Sequence, residues 1–308
     1  MRKSPFIAFT LAALLAVNTL SGVAWAQLPD SITSAVDLSS RYRIVPNITY
    51  AIANNFDAKL DLYLPWKATG PNPTLIYIHG GGWVVGTKEG AQIQVLPYLE
   101  MGWSVVNVEY RLAKVSLAPA AVEDCRRALR WVMSHAKEYN LDTNKIVVTG
   151  HSAGGHLALM TGMLSASAGL DTPPEWFTTD VNLKVSAIIN WFGITDVEDL
   201  LEGSNMKWYA VAWMGSMTNR EEIAKRVSPI NYVREGLPPI LTIHGDNDEL
   251  VPYSHAVRLH EKLSKAGVPN QLLTISGGKH GGFTREENLK AYAAIREFLS
   301  KYVLGTSH

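Results

Sequence analysis

Residues 148–156 read Val-Thr-Gly-His-Ser-Ala-Gly-Gly-His, which places Ser152 between Gly150 and Gly154. Glycine inside a strand or helix costs roughly 0.5–1 kcal/mol relative to alanine, because more backbone entropy is lost there on folding. Two glycines flanking one hydroxyl are therefore expected where bulk is forbidden: a strand-to-helix turn so tight that it holds the serine oxygen forward on a strained backbone. The residues around the motif fit such a turn, since 145–150 reads as a strand and 153–164 as a helix with Leu157, Met160 and Leu164 on one side. A serine hydroxyl is a weak nucleophile until a base removes its proton, so an imidazole and an orienting carboxylate must lie elsewhere in the chain.

Both are present beyond later apolar runs. The segment 240–252 (ILTIHGDNDELVP) offers Asp246 and Asp248, two residues apart and so unable to address one imidazole together. Asp248 is the expected acid, because the tight turn comes first and Asp246 reads as a turn residue bonding to backbone. The base is expected at His280, between two glycine pairs in ISGGKHGGF. His244 reads as a strand end, His156 as part of the helix after the serine, and His151 as the variable position of the turn. Amide donors for a reacting carbonyl are expected from the three glycines of IHGGGW (78–83) and from Ala153. The triple glycine is not followed by Gly-Lys-Ser/Thr and does not match Gly-x-Gly-x-x-Gly, which argues against nucleotide phosphate and dinucleotide binding.

The elements that must carry these groups follow from the apolar pattern. Segments 48–52 and 59–65 alternate and predict an antiparallel entry hairpin. Apolar runs at 74–79, 104–110, 146–150, 185–191, 240–245 and 271–276 alternate with amphipathic segments near 91–101, 120–138, 153–165, 254–266 and 285–303. Continuous β-branched runs joined by helices predict an α/β fold with a mostly parallel sheet covered on both faces. Residues 195–236, rich in Trp and Met, interrupt the alternation; they read either as a small lid inserted over the strand ends or as aromatics packed onto the sheet.

Composition narrows the function classes. A chain of 308 residues with 47% hydrophobic and 18% charged side chains can bury a large core. Residues 1–26 combine a basic start, an apolar run and small residues ending at Ala26, the pattern of a secretory signal peptide, and the run is shorter than the ~20 residues that span a bilayer. Residues 27–308 are expected to form one domain, secreted or periplasmic. Arg2 and Lys3 leave with the leader, so the remainder carries a net charge of about −2 and no basic tract for a nucleic acid. Cys125, the single cysteine, shares a helical face with Ala121, Leu129 and Val132 and is expected to be inert core. No metal-ligand spacing is present, and no cofactor is expected. Asn47 begins an Asn-Ile-Thr sequon, relevant only in a glycosylating host.

Taken together, HGGGW (79–83), EYRLA (109–113), PAAVEDCRRALRWV (119–132), GHSAGG (150–155), HGDNDELVP (244–252) and KHGGF (279–283) resemble α/β-hydrolases of the hormone-sensitive-lipase-like esterase group, especially its feruloyl/acetyl-xylan-esterase-like (BD-FAE-like) branch. The resemblance runs over roughly 45–303. It implies the α/β-hydrolase fold, Ser152 as nucleophile, Asp248 as acid, His280 as base, Gly81, Gly82 and Ala153 as oxyanion donors, and structural roles for Arg111 and Asp124. The segment after Arg111 departs from the usual run of the lipase-like group and no large N-terminal cap is evident. The expected reaction is therefore hydrolysis of short-acyl or aryl esters rather than long-chain lipids.

The substrate expected is a small-molecule or polysaccharide-linked ester, with Trp83, Trp208 and Trp213 as stacking faces for a ring; Trp191 reads equally well as core. A serine peptidase or an arylformamidase would use the same machinery, and a hydrolase-fold binding protein would lack one member of it. Neither stable membrane insertion nor a nucleic-acid partner is expected, and oligomeric state is not readable.

Overall fold

The computed structural model describes residues 30–165, 168–170 and 183–305, so the leader expected over 1–26 lies outside the described residues. The chain divides into two units, Met1–Asp37 and Leu38–His308. Helix α1 is formed by Asp30–Arg41. The second unit contains an eight-stranded sheet. Its strands are β1 (Tyr42–Ala53), β2 (Phe56–Pro65), β3 (Asn72–Ile78), β4 (Ser104–Val108), β5 (Leu141–His151), β6 (Ala187–Trp191), β7 (Ile240–Gly245) and β8 (Asn270–Ile275). They lie in the order β1-β2-β4-β3-β5-β6-β7-β8. The β1–β2 and β2–β4 pairs are antiparallel and all others are parallel.

Alternation along each central strand sends side chains into two cores. Ile76, Ile78, Val106, Val148 and Ile188 face one, together with Leu129 and Val132 of α3 (Ala120–Tyr139), Leu157 of α4 (Ala153–Met163) and Leu259 of α7 (Ser254–Lys265). Leu75, Tyr77, Val105, Val147 and Ile189 face the other, with Val95 of α2 (Gln92–Glu100) and Ile295 and Phe298 of α8 (Arg285–Leu299). Strands buried on both faces cannot alternate polar with apolar, which is why they read as continuous apolar runs. Cys125 is buried within the first core. Arg111 and Asp124 form a buried two-pronged pair, Nε to Oδ2 and Nη2 to Oδ1, each 2.8 Å, tying the end of β4 to α3.

Residues 195–236 contain two short helices, α5 (Trp208–Met214) and α6 (Arg220–Arg226), placed between β6 and β7 in the chain. Tyr209, Trp213, Met214 and Ile223 are buried against the first core, whereas Met206 and Trp208 are exposed.

Candidate active site

The parallel strands β5, β7 and β8 end on one edge of the sheet, and the loops beyond them bring Ser152, Asp248 and His280 together. Ser152 adopts φ 57° and ψ −120°, a conformation forbidden to most residues with a side chain. Its N–H donates to Trp191 O at the end of β6 (2.9 Å), and its carbonyl accepts from His156 N. The neighbouring glycines permit this turn. A β-carbon on Gly150 would lie 2.4 Å from Ile78 O, and one on Gly154 2.1 Å from the same atom, so α4 can press against β3 only where both side chains are absent.

His280 links the other two residues. Its Nδ1–H donates to Asp248 Oδ2 (2.7 Å), which leaves Nε2 to accept from the Ser152 hydroxyl (2.8 Å). The acid and base loops are zipped together by Asn247 N to Gly278 O and Asp246 N to Ile275 O. A β-carbon on Gly245 would meet Gly278 O at 2.2 Å. Asp246 accepts from Gly277 N through its side chain (2.6 Å), a turn residue pointed away from the imidazole. The base loop ends at α8, where Thr284 and Glu287 cap each other's backbone amides.

Asp248 is ringed by donors. Oδ1 accepts from the amides of Leu250 (2.8 Å) and Val251 (2.9 Å), and Oδ2 accepts from His280 and from Nε2 of His244 (3.1 Å). Burial pushes this carboxyl up, but the hydrogen bonds from His244, His280 and Val251 outweigh it and hold the group well below the usual carboxylate range. It stays ionised in the pH range where an imidazole exchanges its proton. His244 escaped sequence reasoning as anything but a strand end; its spacing of four residues from Asp248 was the available signal.

Gly80, the first of the three glycines beyond β3, lies against the serine: a β-carbon there would stand 3.5 Å from Ser152 Cβ. Gly81 (φ 116°) and Gly82 (φ 59°) have left-handed backbones. Among the described residues their amides donate to no protein acceptor, and Ala153 opens α4, where first-turn amides lack an intrahelical partner. All three amides are thus available to an oxygen brought beside Ser152.

Of the three tryptophans expected to face substrate, two do not. Trp83 and Trp213 are fully buried and stack on each other with centroids 4.1 Å apart, and Trp83 Nε1 donates to His156 Nδ1 (3.1 Å). Their flat faces are spent on one another. Trp208 is 67% exposed.

A chamber of about 470 Å³ opens beside the site, its wall including Gly80, the first of the three glycines, and His151 and Gly281, the chain neighbours of the serine and the base. Phe192, Phe283 and Tyr77 give it an aromatic lining, and exposed Thr87 and Gln94 lie at its rim. The ring of His151 stacks on Trp191 and bonds through Nδ1 to the Tyr77 hydroxyl (2.7 Å). Burial, with the nearby His280, lowers its pKa to about 3, so it is neutral. Among the described residues no group of three or more His, Cys, Asp or Glu side chains could hold a metal ion, and no helix is long and apolar enough to cross a membrane.

The chain is similar to known proteins over most of this architecture. It is 32% identical over 221 residues to the probable carboxylic ester hydrolase LipM of Mycobacterium tuberculosis, covering 67% of this chain and 48% of LipM. It is 30% identical to esterase LipC of the same organism, covering 69% and 54%. The chain thus spans about half the length of these curated relatives. Among solved structures it resembles a truncated carbohydrate esterase from gut microbiota, with a TM-score of 0.72 and 26% identity over 86% of this chain and 98% of that one. The butyrate-bound esterase Est2 of Thermogutta terrifontis superposes with a TM-score of 0.71 at 28% identity, covering 87% and 97%. A BD-FAE family model matches residues 60–263, more than half of the chain. The chain has the α/β-hydrolase fold and belongs to the BD-FAE family.

Proposed function

We propose that the protein is a serine carboxylic ester hydrolase that works through an acyl-enzyme on Ser152. The observation that carries this reading is the hydrogen-bonded chain from Ser152 through His280 to Asp248 at a strained strand-to-helix turn. His280 Nε2 takes the hydroxyl proton as Oγ attacks the ester carbonyl carbon. The oxyanion of the tetrahedral intermediate is held by the amides of Gly81, Gly82 and Ala153, each such donor being worth on the order of 10²–10³ in rate. The intermediate collapses as His280 returns the proton to the departing alkoxide, and an alcohol leaves. Water, deprotonated by the same nitrogen, then attacks the acyl carbon, and the acid is released with Ser152 restored.

The substrates we assign are short-acyl or aryl esters, including acetyl or feruloyl groups on plant polysaccharide. The aromatic chamber supports a compact or planar group, and similarity to a carbohydrate esterase supports a sugar-linked one. We further assign residues 27–308 to one secreted or periplasmic domain that needs no cofactor, with 195–236 as its inserted lid region. Ser152→Ala is expected to reduce p-nitrophenyl acetate turnover by about 10⁴-fold or more with the circular dichroism spectrum unchanged; undiminished turnover would refute the assignment. Release of acetate or ferulate from xylan tests the substrate class, and fast cleavage of simple esters without either release would remove the polysaccharide from the reading.

A further inference from the structure

We propose that His244 is a positioning residue of this site, whose Nε2–H shares Asp248 Oδ2 with His280, orients the carboxylate and sets the pH at which His280 can act as base. The inference rests on the esterase reading above. His244 Nε2 lies 3.1 Å from Asp248 Oδ2 and 3.1 Å from Val251 O. A carboxylate and a backbone carbonyl both only accept, so Nε2 must carry a hydrogen, which it shares between Asp248 Oδ2 and Val251 O. The ring is wholly buried at the end of β7, held edge-on by Tyr253 with centroids 5.7 Å apart. Among the described residues its other nitrogen, Nδ1, is buried with no hydrogen-bond partner. A side chain that only filled space here would be better apolar, since an unpaired buried nitrogen is costly to desolvate. The polar ring is explained by what its other edge does.

Asp248 has about four lone-pair sites and four donors: two amides on Oδ1 and two imidazoles on Oδ2. The amides fix one oxygen, but the loop carrying them also carries the carboxylate, so they do not anchor it to the sheet. His244 does, because it belongs to β7, a strand paired on both sides with β6 and β8. A carboxylate that already accepts from His244 is a weaker acceptor for His280. It therefore stabilises the imidazolium formed during catalysis less than an Asp248 free of His244 would, and the base stays neutral to lower pH. The other ionisable groups facing the trio are His151, held neutral, Tyr209, whose phenol burial pushes up, and Tyr253, whose hydroxyl is engaged with Thr274. Exposed Asp246, Glu249 and Lys279 flank the loops and are common to every variant below.

The test compares the pH profile of kcat/KM for p-nitrophenyl acetate in the wild type, His244→Leu and His244→Gln, with active sites counted by a fluorophosphonate titrant. His244→Leu removes the donor, so the acidic limb is expected to move up by about half to one pH unit, a 3–10-fold loss at pH 6 relative to pH 8. His244→Gln, whose amide reaches the same oxygen, is expected to return the limb to the wild-type position. A purely structural role would lower the titratable fraction or the melting temperature and leave the limb in place; an unmoved limb, or equal shifts in both variants, overturns the proposal. If His244→Leu does not fold, nitrogen NMR of the native protein decides: the His244 ring is expected as the Nε2–H tautomer, with its resonance moving when Ser152 is phosphonylated, and the Nδ1–H tautomer or an unresponsive ring overturns it. Failure of the esterase reading would be seen separately, as active protein that takes no titrant on Ser152.

Discussion

Trp83 and Trp213 stack with their planes 13° apart, joining the triple-glycine loop to the 195–236 insertion. Trp83 has φ 62°, unusual for so bulky a residue, and its indole also donates to His156 on α4. The loop that offers the oxyanion amides is thus fastened to the insertion on one side and to the helix of the nucleophile on the other. Trp83→Ala is expected to cost about 3–5 kcal/mol by urea denaturation. Trp208→Ala, which removes an exposed ring, is expected to change stability by less than about 0.5 kcal/mol. If Trp208 contributes a face for the alcohol portion of the ester, its loss raises KM for bulky substrates and leaves p-nitrophenyl acetate unaffected.

The glycines separate folding from catalysis. A β-carbon on Gly82 would stand 2.8 Å from Tyr209 Cβ, and the positive φ is itself strained for alanine, so Gly82→Ala must displace the loop. The expected result is a folded protein with kcat lowered by on the order of 10²-fold, the size of one lost oxyanion donor. Gly154→Ala would place its β-carbon 2.1 Å from the Ile78 carbonyl, between α4 and β3. Backbone cannot yield there as a flexible side chain can, and the variant is expected to be recovered in the insoluble fraction.

Much of this was legible in the chain itself. The inner parallel strands are apolar runs because both of their faces are buried, the edge strand β8 is only partly so, and each of the six lies within a few residues of its expected position. Ser152, Asp248 and His280 are marked by the glycines that let three loops converge, a requirement of backbone clearance that composition records directly. The insertion at 195–236 shows as a break in the alternation, but its helices do not: α5 and α6 are seven residues each, too short for a periodic signal, and α5 is held by Tyr209 and Trp213 against Trp83 rather than by propensity. Trp83 and Trp213 read as substrate faces because a sequence does not distinguish an indole that stacks on a ligand from one that stacks on another indole. His244 was missed because its contact depends on the chain folding back between Asp248 and Val251, a path set by tertiary structure.

Buried histidines make the protein sensitive to acid, and burial lowers the pKa of His255 and His260 as well as of the three with the largest shifts. Burial lowers the pKa of His79 and His156 to about 4 and of His151 to about 3, against an ordinary value of about 6.5. Between those limits the unfolded chain binds more protons than the folded one, so stability falls as pH falls. The contribution is complete above about pH 6.5 and is lost progressively toward pH 4. The carboxylate of Asp248, held low, is lost only below the ordinary aspartate range and so lies outside this window. Melting temperatures from pH 7.5 to 4.5 are expected to drop most steeply below 6.5; a flat profile would contradict the neutral, buried state of these rings.

Lys88 ties the segment that follows the triple-glycine loop to β2 and to the end of β4. Its ammonium is buried and bonded to Asp61 Oδ2 on β2 (2.9 Å) and to Glu89, while its backbone N–H donates to Glu109 (2.7 Å) and its carbonyl accepts from Asn107 (2.7 Å). Removing one partner of a buried ion pair leaves the other uncompensated, typically at a cost of about 3–5 kcal/mol. Lys88→Met is expected to show a loss of that order by denaturant titration, and the double variant with Asp61→Asn is expected to recover part of it. A loss in the double variant equal to the sum of the two single losses would show that the pair is not coupled.

The central claim is that the hydroxyl of Ser152 is the nucleophile. A fluorophosphonate reacts only with a serine activated by its base, and trypsin releases this serine in the peptide 146–184. Mass spectrometry of the labelled, digested protein is expected to place the phosphonyl adduct on Ser152, with loss of esterase activity in proportion to labelling and no adduct in His280→Ala. An adduct on another residue, or full activity in protein labelled at Ser152, would contradict the account.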